Sequence, residues 1–179
     1  MICMNDNVST SEAKTIVIVG MNGVGKTKFG KKLASKLHMK AIDSDSAFRK
    51  IHSDEKEFIQ KNGWEAFRNI EQEIICEWLQ PGFIIITGGG AIESPAVRTA
   101  LKQYTVIWMQ AGKKRITRHL TEAKRPRPEF SDTDLKEHVK HLLEKRDPLY
   151  KEVATIIIQE NVHFSKQVPV AMKELEKLM

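Results

Sequence analysis

An apolar run, Ile16 to Val19, leads directly into Gly20-Met21-Asn22-Gly23-Val24-Gly25-Lys26-Thr27, and Phe29, Leu33 and Leu37 follow at helical spacing. The octet fits G-x-x-x-x-G-K-[ST] between a strand and a helix, the setting that gives the pattern its physical meaning. Its glycines let the backbone turn with its amides pointing inward. The next helix adds its positive N-terminal end, so main-chain donors hold a polyphosphate. Lys26 is expected at the β- and γ-phosphates and the Thr27 hydroxyl on Mg²⁺, with Gly23, Gly25 and Lys28 also assigned to the nucleotide.

A strand, phosphate loop and helix in this order call for a parallel sheet, and the rest of the chain supplies it. Phe83 to Ile86, Val106 to Met109 and Ile156 to Ile158 are further apolar runs, with a weaker one at Ala41 and Ile42. They are rich in Ile and Val and do not alternate with polar residues, as strands covered on both faces do not. Between them, Phe67, Ile70, Ile74 and Trp78 keep helical steps, and Val97, Leu101 and Tyr104 follow a Ser94-Pro95 helix start. Alternating strand and helix predict an α/β fold with right-handed crossovers.

At 179 residues, 41% hydrophobic and 29% charged, the chain has the makings of one folded domain, placed at residues 14–179 behind a flexible leader at 1–13. No run approaches the roughly eighteen apolar residues of a membrane span, and the polar first fourteen residues do not resemble a signal peptide. Cys3 and Cys76 lack metal-ligand spacing and are too few for a disulfide framework, which points to a reducing cytoplasm. The net charge of +6 is spread along the chain without a basic block or an aromatic platform, so no nucleic-acid partner is expected. Residues 121–134, with Lys124-Arg125-Pro126-Arg127-Pro128, break the helical rhythm and read as a surface loop, either a lid or an inert connection.

Open α/β sheets bind ligands beyond the carboxyl ends of their strands, which directs attention to three further segments. Asp43-Ser44-Asp45 follows the weak second strand, and its two carboxylates can divide metal and hydroxyl duties. A helix cap by Ser44 or Asp45 would account for the same residues. Thr87-Gly88-Gly89-Gly90 marks a close approach to the main chain, or a flexible turn. Arg68 and Glu71 share one helix face, where such pairs are commonly solvated, and Arg146 precedes what reads as a proline turn at Pro148.

Taken in order, the octet, Asp43-x-Asp45, Phe67-Arg68-x-x-Glu71, Gly88-Gly89-Gly90, Arg125-Pro126 and Arg146-x-Pro148-Leu149-Tyr150-x-x-x-Ala154 resemble the shikimate kinase family from about Thr15 to Ile158. The resemblance implies a three-layer P-loop kinase fold with a five-stranded parallel sheet and a mobile lid. It implies a monomeric enzyme that uses ATP and Mg²⁺ to phosphorylate the 3-hydroxyl of shikimate. Asp45 would hold that hydroxyl, and Arg68 and Arg146 would clamp the substrate carboxylate, with Glu71 bracing Arg68. Gly89 and Gly90 would offer backbone contacts to substrate, and Asp43 would hold Mg²⁺ through water. Arg125 would swing in with the lid and Arg118 would lie beside adenine. Where the family's lid continues into paired leucines this chain has Arg127-Pro128-Glu129, and Ser46 to Glu65 departs from the family pattern as well. A kinase for gluconate or a nucleoside monophosphate, and a nucleotide-binding module without turnover, are the alternative readings.

Overall fold

Five short strands, β1 (Ile16–Val19), β2 (Lys40–Asp43), β3 (Phe83–Ile86), β4 (Thr105–Met109) and β5 (Ile156–Ile158), pair in parallel in the order β2-β3-β1-β4-β5. They belong to a computed structural model that describes residues 14–52, 54–123, 128–130 and 134–178. Every residue of β1 is buried, as are Ile84 to Ile86 and Val106 to Met109, so both faces of the sheet centre are covered. Branched side chains filling both faces explain why these runs do not alternate. β2 sits at an edge with Lys40 and Ala41 exposed, and its sequence signal is correspondingly weak.

Among the described residues seven helices connect and flank the strands: α1 (Lys26–Leu37), α2 (Ser44–Ile51), α3 (Glu55–Trp78), α4 (Pro95–Leu101), α5 (Lys113–Thr121), α6 (Leu135–Val153) and α7 (Phe164–Glu176). From β1 the chain moves outward to β2 and then returns across the sheet through β3, β4 and β5. With right-handed crossovers, α1 lies on one face and the later crossover helices on the other. α1 packs with α7, while α4 packs with α3 and α6, which completes the three layers.

Local chemistry sets the helix ends. Ser94 caps α4 by accepting from the Val97 amide at 3.3 Å, and Pro95 occupies the first turn as expected. α4 ends at Leu101, short of the expected Tyr104, whose hydroxyl instead donates to the Leu79 carbonyl at 3.1 Å. α3 is broken at Gly63, and beyond the break Phe67 and Ile74 join Phe48 of α2 in a small second core. The Phe48 ring lies 4.9 Å from that of Phe67, fixing the helix turn that carries Arg68.

The expected proline turn at Pro148 does not form, because α6 continues through it. Pro148 and Glu144 are both exposed, so the carbonyl that the proline leaves without an amide partner faces water. On the opposite side Val139, Leu142, Arg146, Tyr150 and Val153 are all buried and hold the helix against the protein.

Register gathers the site. Ile86 pairs with Ile18 on one side and Asp43 on the other, and the Thr87 amide donates to the Ile18 carbonyl at 3.1 Å. The phosphate loop, Asp43-Ser44-Asp45 and Gly88 to Gly90 therefore leave the sheet at one edge.

Candidate active site

The phosphate loop closes on itself. Gly25 precedes α1 with φ 101°, a left-handed conformation that a side chain would strain. Lys26 is buried and donates to the carbonyls of Gly20 at 2.8 Å and Met21 at 3.0 Å, which draws its ammonium across the loop. The Thr27 hydroxyl donates to Asp43 Oδ2 at 2.6 Å, while Asp43 Oδ1 accepts from the Ser46 amide at 3.0 Å. Asp43, rather than Ser44 or Asp45, is thus the cap of α2, and the cap and the hydroxyl partner are one carboxylate. His119, unmarked in the sequence, has Nδ1 2.6 Å from the Gly23 carbonyl. A carbonyl only accepts, so Nδ1 carries the proton and the ring braces the loop from α5.

Beside the loop, Lys28 and Arg118 line an open pocket of about 570 Å³ together with Arg115, His119, Asn161 and Phe164. The Lys28 ammonium lies 4.6 Å from the centre of the Phe164 ring. Cations and an aromatic face next to a phosphate loop suit a nucleotide's base and its anionic tail. Thr27 and Asp43 offer hard oxygen donors of the kind Mg²⁺ takes, one carboxylate being enough when phosphates and water complete the shell. Among the described residues no cluster of three or more His, Cys, Asp or Glu could hold a metal.

The other half of the site is built around the glycine segment. Its amides are held by Ser44, whose Oγ accepts from Gly88 at 2.9 Å, and by Asn22, whose Oδ1 accepts from Gly89 at 3.2 Å. Tyr150, fully buried on α6, donates to the Gly89 carbonyl at 2.6 Å. Burial pushes its phenol far above the usual value, so it remains a donor. A methyl group on Gly88 would collide with Glu71 and Asp45, and one on Gly90 with the Arg68 guanidinium. Close approach, the first of the two expectations for this segment, is therefore what the glycines allow, and the approaching groups are the charged side chains of the site.

Arg68 and Glu71 form the expected pair, with Arg68 donating to Glu71 Oε2 at 2.6 Å. This pair is no solvated ornament. Glu71 is only 4% exposed; burial pushes its carboxyl above the usual range, against the pull of Arg68. Arg146 is 1% exposed, although its sequence setting looked unremarkable. Its Nε donates to Glu93 at 2.7 Å. Burial would raise the Glu93 carboxyl, but hydrogen bonds from Lys145 and Arg146 outweigh it and hold the group below its ordinary value.

Terminal nitrogens of both arginines also converge on Glu129. Arg146 reaches one carboxylate oxygen at 3.2 Å and forms an ion pair with the other, from which Arg68 lies 3.6 Å away. Asn22 adds a donor at 3.3 Å. Glu129 sits on a single 3₁₀ turn, Pro128–Phe130, so the expected 121–134 loop begins later, after α5 ends at Thr121, and part of it enters the site. Arg125 and Arg127 lie outside the described residues. Asp45, Trp64, Arg68, Gly90 and Glu129 border a remaining cavity of about 40 Å³.

Sequence reasoning missed Glu129, Tyr150, Ser44, Asn22, Glu93 and His119. A signal existed for Tyr150, because it continues the buried stripe of α6 with Arg146. Asn22 and Ser44 lie inside segments the sequence had marked, though with no such contacts assigned, while Glu129, Glu93 and His119 are drawn in by tertiary contacts that no local pattern marks.

A family model described as shikimate kinase matches residues 22–176. The shikimate kinase of Corynebacterium efficiens is 34% identical over 154 residues, 86% of this chain and 90% of that protein. That of Tolumonas auensis is 31% identical over 169 residues, 92% and 98% of the two chains. Among solved structures, a shikimate kinase from Acinetobacter baumannii in complex with shikimate superposes with a TM-score of 0.83 at 29% identity, covering 92% of each chain.

Proposed function

Because the chain belongs to the shikimate kinase family, we propose that it transfers the γ-phosphoryl group of ATP to the 3-hydroxyl of shikimate, giving shikimate 3-phosphate and ADP. One observation supports a carboxylate acceptor over a nucleoside monophosphate, the choice of shikimate over gluconate following from the family: terminal nitrogens of Arg68 and Arg146 converge on a single carboxylate, that of Glu129. The Glu129 oxygens stand in for those of an acceptor's carboxylate. Two forked guanidiniums facing one another suit a planar anion, which a nucleoside monophosphate acceptor would not present.

In this reading the loop amides, Lys26 and the start of α1 hold the triphosphate and gather the charge that spreads over the γ-phosphoryl oxygens. Asp45, at the start of α2 beside Gly88, accepts a hydrogen bond from the 3-hydroxyl. As the oxygen–phosphorus bond forms and the bond to ADP breaks, the hydroxyl proton passes to Asp45. Glu71 braces Arg68 and Glu93 braces Arg146, so both guanidiniums are oriented before the acceptor arrives. Thr27 and Asp43 are the residues that would hold Mg²⁺, which when bound neutralises phosphate charge. Gly23, Gly25, Lys28 and Arg118 are taken as nucleotide contacts and Gly89 and Gly90 as acceptor contacts. Arg125 is assigned to the transferring group on the resemblance alone.

The same reading takes the enzyme as a cytoplasmic monomer. Cys76 is a free thiol, in keeping with a reducing compartment, and among the described residues no helix is long and apolar enough to cross a membrane. ADP release measured with shikimate, gluconate, AMP and no acceptor tests the assignment. Turnover with shikimate alone is expected. Faster turnover with gluconate or AMP reassigns the acceptor, and silence with all of them leaves only a nucleotide-binding module.

A further inference from the structure

We propose that Glu129 is an internal competitor for the acceptor's carboxylate, occupying the Arg68–Arg146 clamp and setting how tightly the acceptor binds. The inference rests on that clamp being the acceptor's carboxylate site. Donor accounting carries it. Arg146 commits Nε to Glu93 at 2.7 Å, and both of its terminal nitrogens reach Glu129. Arg68 commits one terminal nitrogen to Glu71 at 2.6 Å, and the other faces Glu129 at 3.6 Å. Arg146 Nη1 also lies 3.8 Å from Met21 Sδ, but among carboxylates each arginine has one brace of its own, Glu93 or Glu71, and both share Glu129. With Asn22 at 3.3 Å as well, the Glu129 carboxylate approaches the roughly four hydrogen bonds it can accept.

An acceptor carboxylate needs those same donors, so it and Glu129 exclude one another. Charge points the same way. Asp45, Glu55 and Glu71 already border this pocket along with Glu129 and Arg68, and a further carboxylate placed beside Glu129 would add to the like charge there. The cavity left beside Glu129, about 40 Å³, has room for a few water molecules and not for a hydroxylated ring. Withdrawal of the Glu129 side chain therefore both vacates the donors and enlarges the site. The residue is carried on a three-residue turn and not on the sheet, so it can leave without disturbing Arg68 or Arg146, whose braces come from α3 and from the 3₁₀ turn Ala91–Glu93.

The consequence is a tax on affinity. If the clamp is unoccupied by Glu129 for about one-tenth of the time, the apparent dissociation constant of the acceptor is about tenfold above its intrinsic value. Glu129→Gln keeps the shape and removes the charge, and Glu129→Ala removes the group. Calorimetric titration with shikimate and with benzoate, a carboxylate without hydroxyls, should show binding at least about fivefold tighter in both variants, with shikimate KM falling. A role in merely supporting the fold would not tighten binding. Should Glu129→Gln lose its thermal transition, Glu129→Asp, too short to span both arginines, carries the same expectation. Shikimate binding that is unchanged or weaker in the variants, when wild type binds it, makes Glu129 a closing contact and overturns the proposal. If shikimate binds to none of the proteins while benzoate binds more tightly to the variants, the competitor stands and the shikimate reading fails. If neither carboxylate binds any of them, both ideas fall.

Discussion

Placing an arginine at 1% exposure leaves its charge without water, and Arg146 is tolerated there because Glu93 and Glu129 take up its donors. Glu71 is the mirror case, a carboxyl raised by burial and steadied by Arg68. Ordered charges of this kind let a site grip an anion without reorganising. Asp45 has a different task, because it borders the pocket where the accepting hydroxyl would lie. Asp45→Asn is expected to lower kcat at least about a hundredfold, the scale of a positioned acid–base group, with little change in ATP binding. Steady-state kinetics with each substrate varied decides it; an unchanged kcat would reduce Asp45 to a structural residue. Lys26, Thr27 and Asp43 were legible in the sequence because a local motif fixes them. Glu129 was not, since its role exists only where three distant segments meet.

Among the elements, α6 does most to join the two halves of the site, carrying Arg146 toward the acceptor and Tyr150 beneath Gly89. Pro148 argued for a turn in the sequence, yet Val139, Leu142, Arg146, Tyr150 and Val153 form one buried stripe of a continuous helix. Packing of the buried stripe outweighs one lost hydrogen bond whose carbonyl is left to water. Tyr150→Phe leaves the buried Gly89 carbonyl without its donor, an expected loss of about 1–3 kcal/mol and a drop in Tm of about 2–4 °C per kcal/mol. The acceptor KM should rise with it, because the glycine segment loses its anchor; an unchanged Tm would show that water or a neighbour replaces the phenol. On the same helix, burial pushes the half-buried Asp147 carboxyl up to about 6 from its ordinary 3.8. Between these values the folded chain holds a proton that the unfolded chain has released, so Asp147 makes stability fall as pH rises through that window. Asp147→Asn should therefore stabilise the protein near pH 7 and not below about pH 4. Discounted for the group's partial exposure, the gain is on the order of 1 kcal/mol, read from denaturant unfolding at the two pH values.

On the scale of the whole molecule, the parallel sheet is the part that sequence foretold most fully. Ile and Val runs covered on both faces can hardly do otherwise, and the phosphate loop fixed which end of the sheet would carry chemistry. Strand order was not legible from those runs, since any of them could pair with any other, and the edge position of β2 emerges only from packing. The claim on which the rest depends is that this sheet edge brings two braced guanidiniums to bear on an acceptor's carboxylate. Shikimate and its methyl ester share the ring and the hydroxyls and differ in that one charge. The direct measurement is kcat/KM for each with saturating ATP and Mg²⁺. Charge-assisted hydrogen bonds worth about 1.5–3 kcal/mol apiece predict that the ester is at least about a hundredfold poorer. Equal values for the acid and the ester would contradict the account.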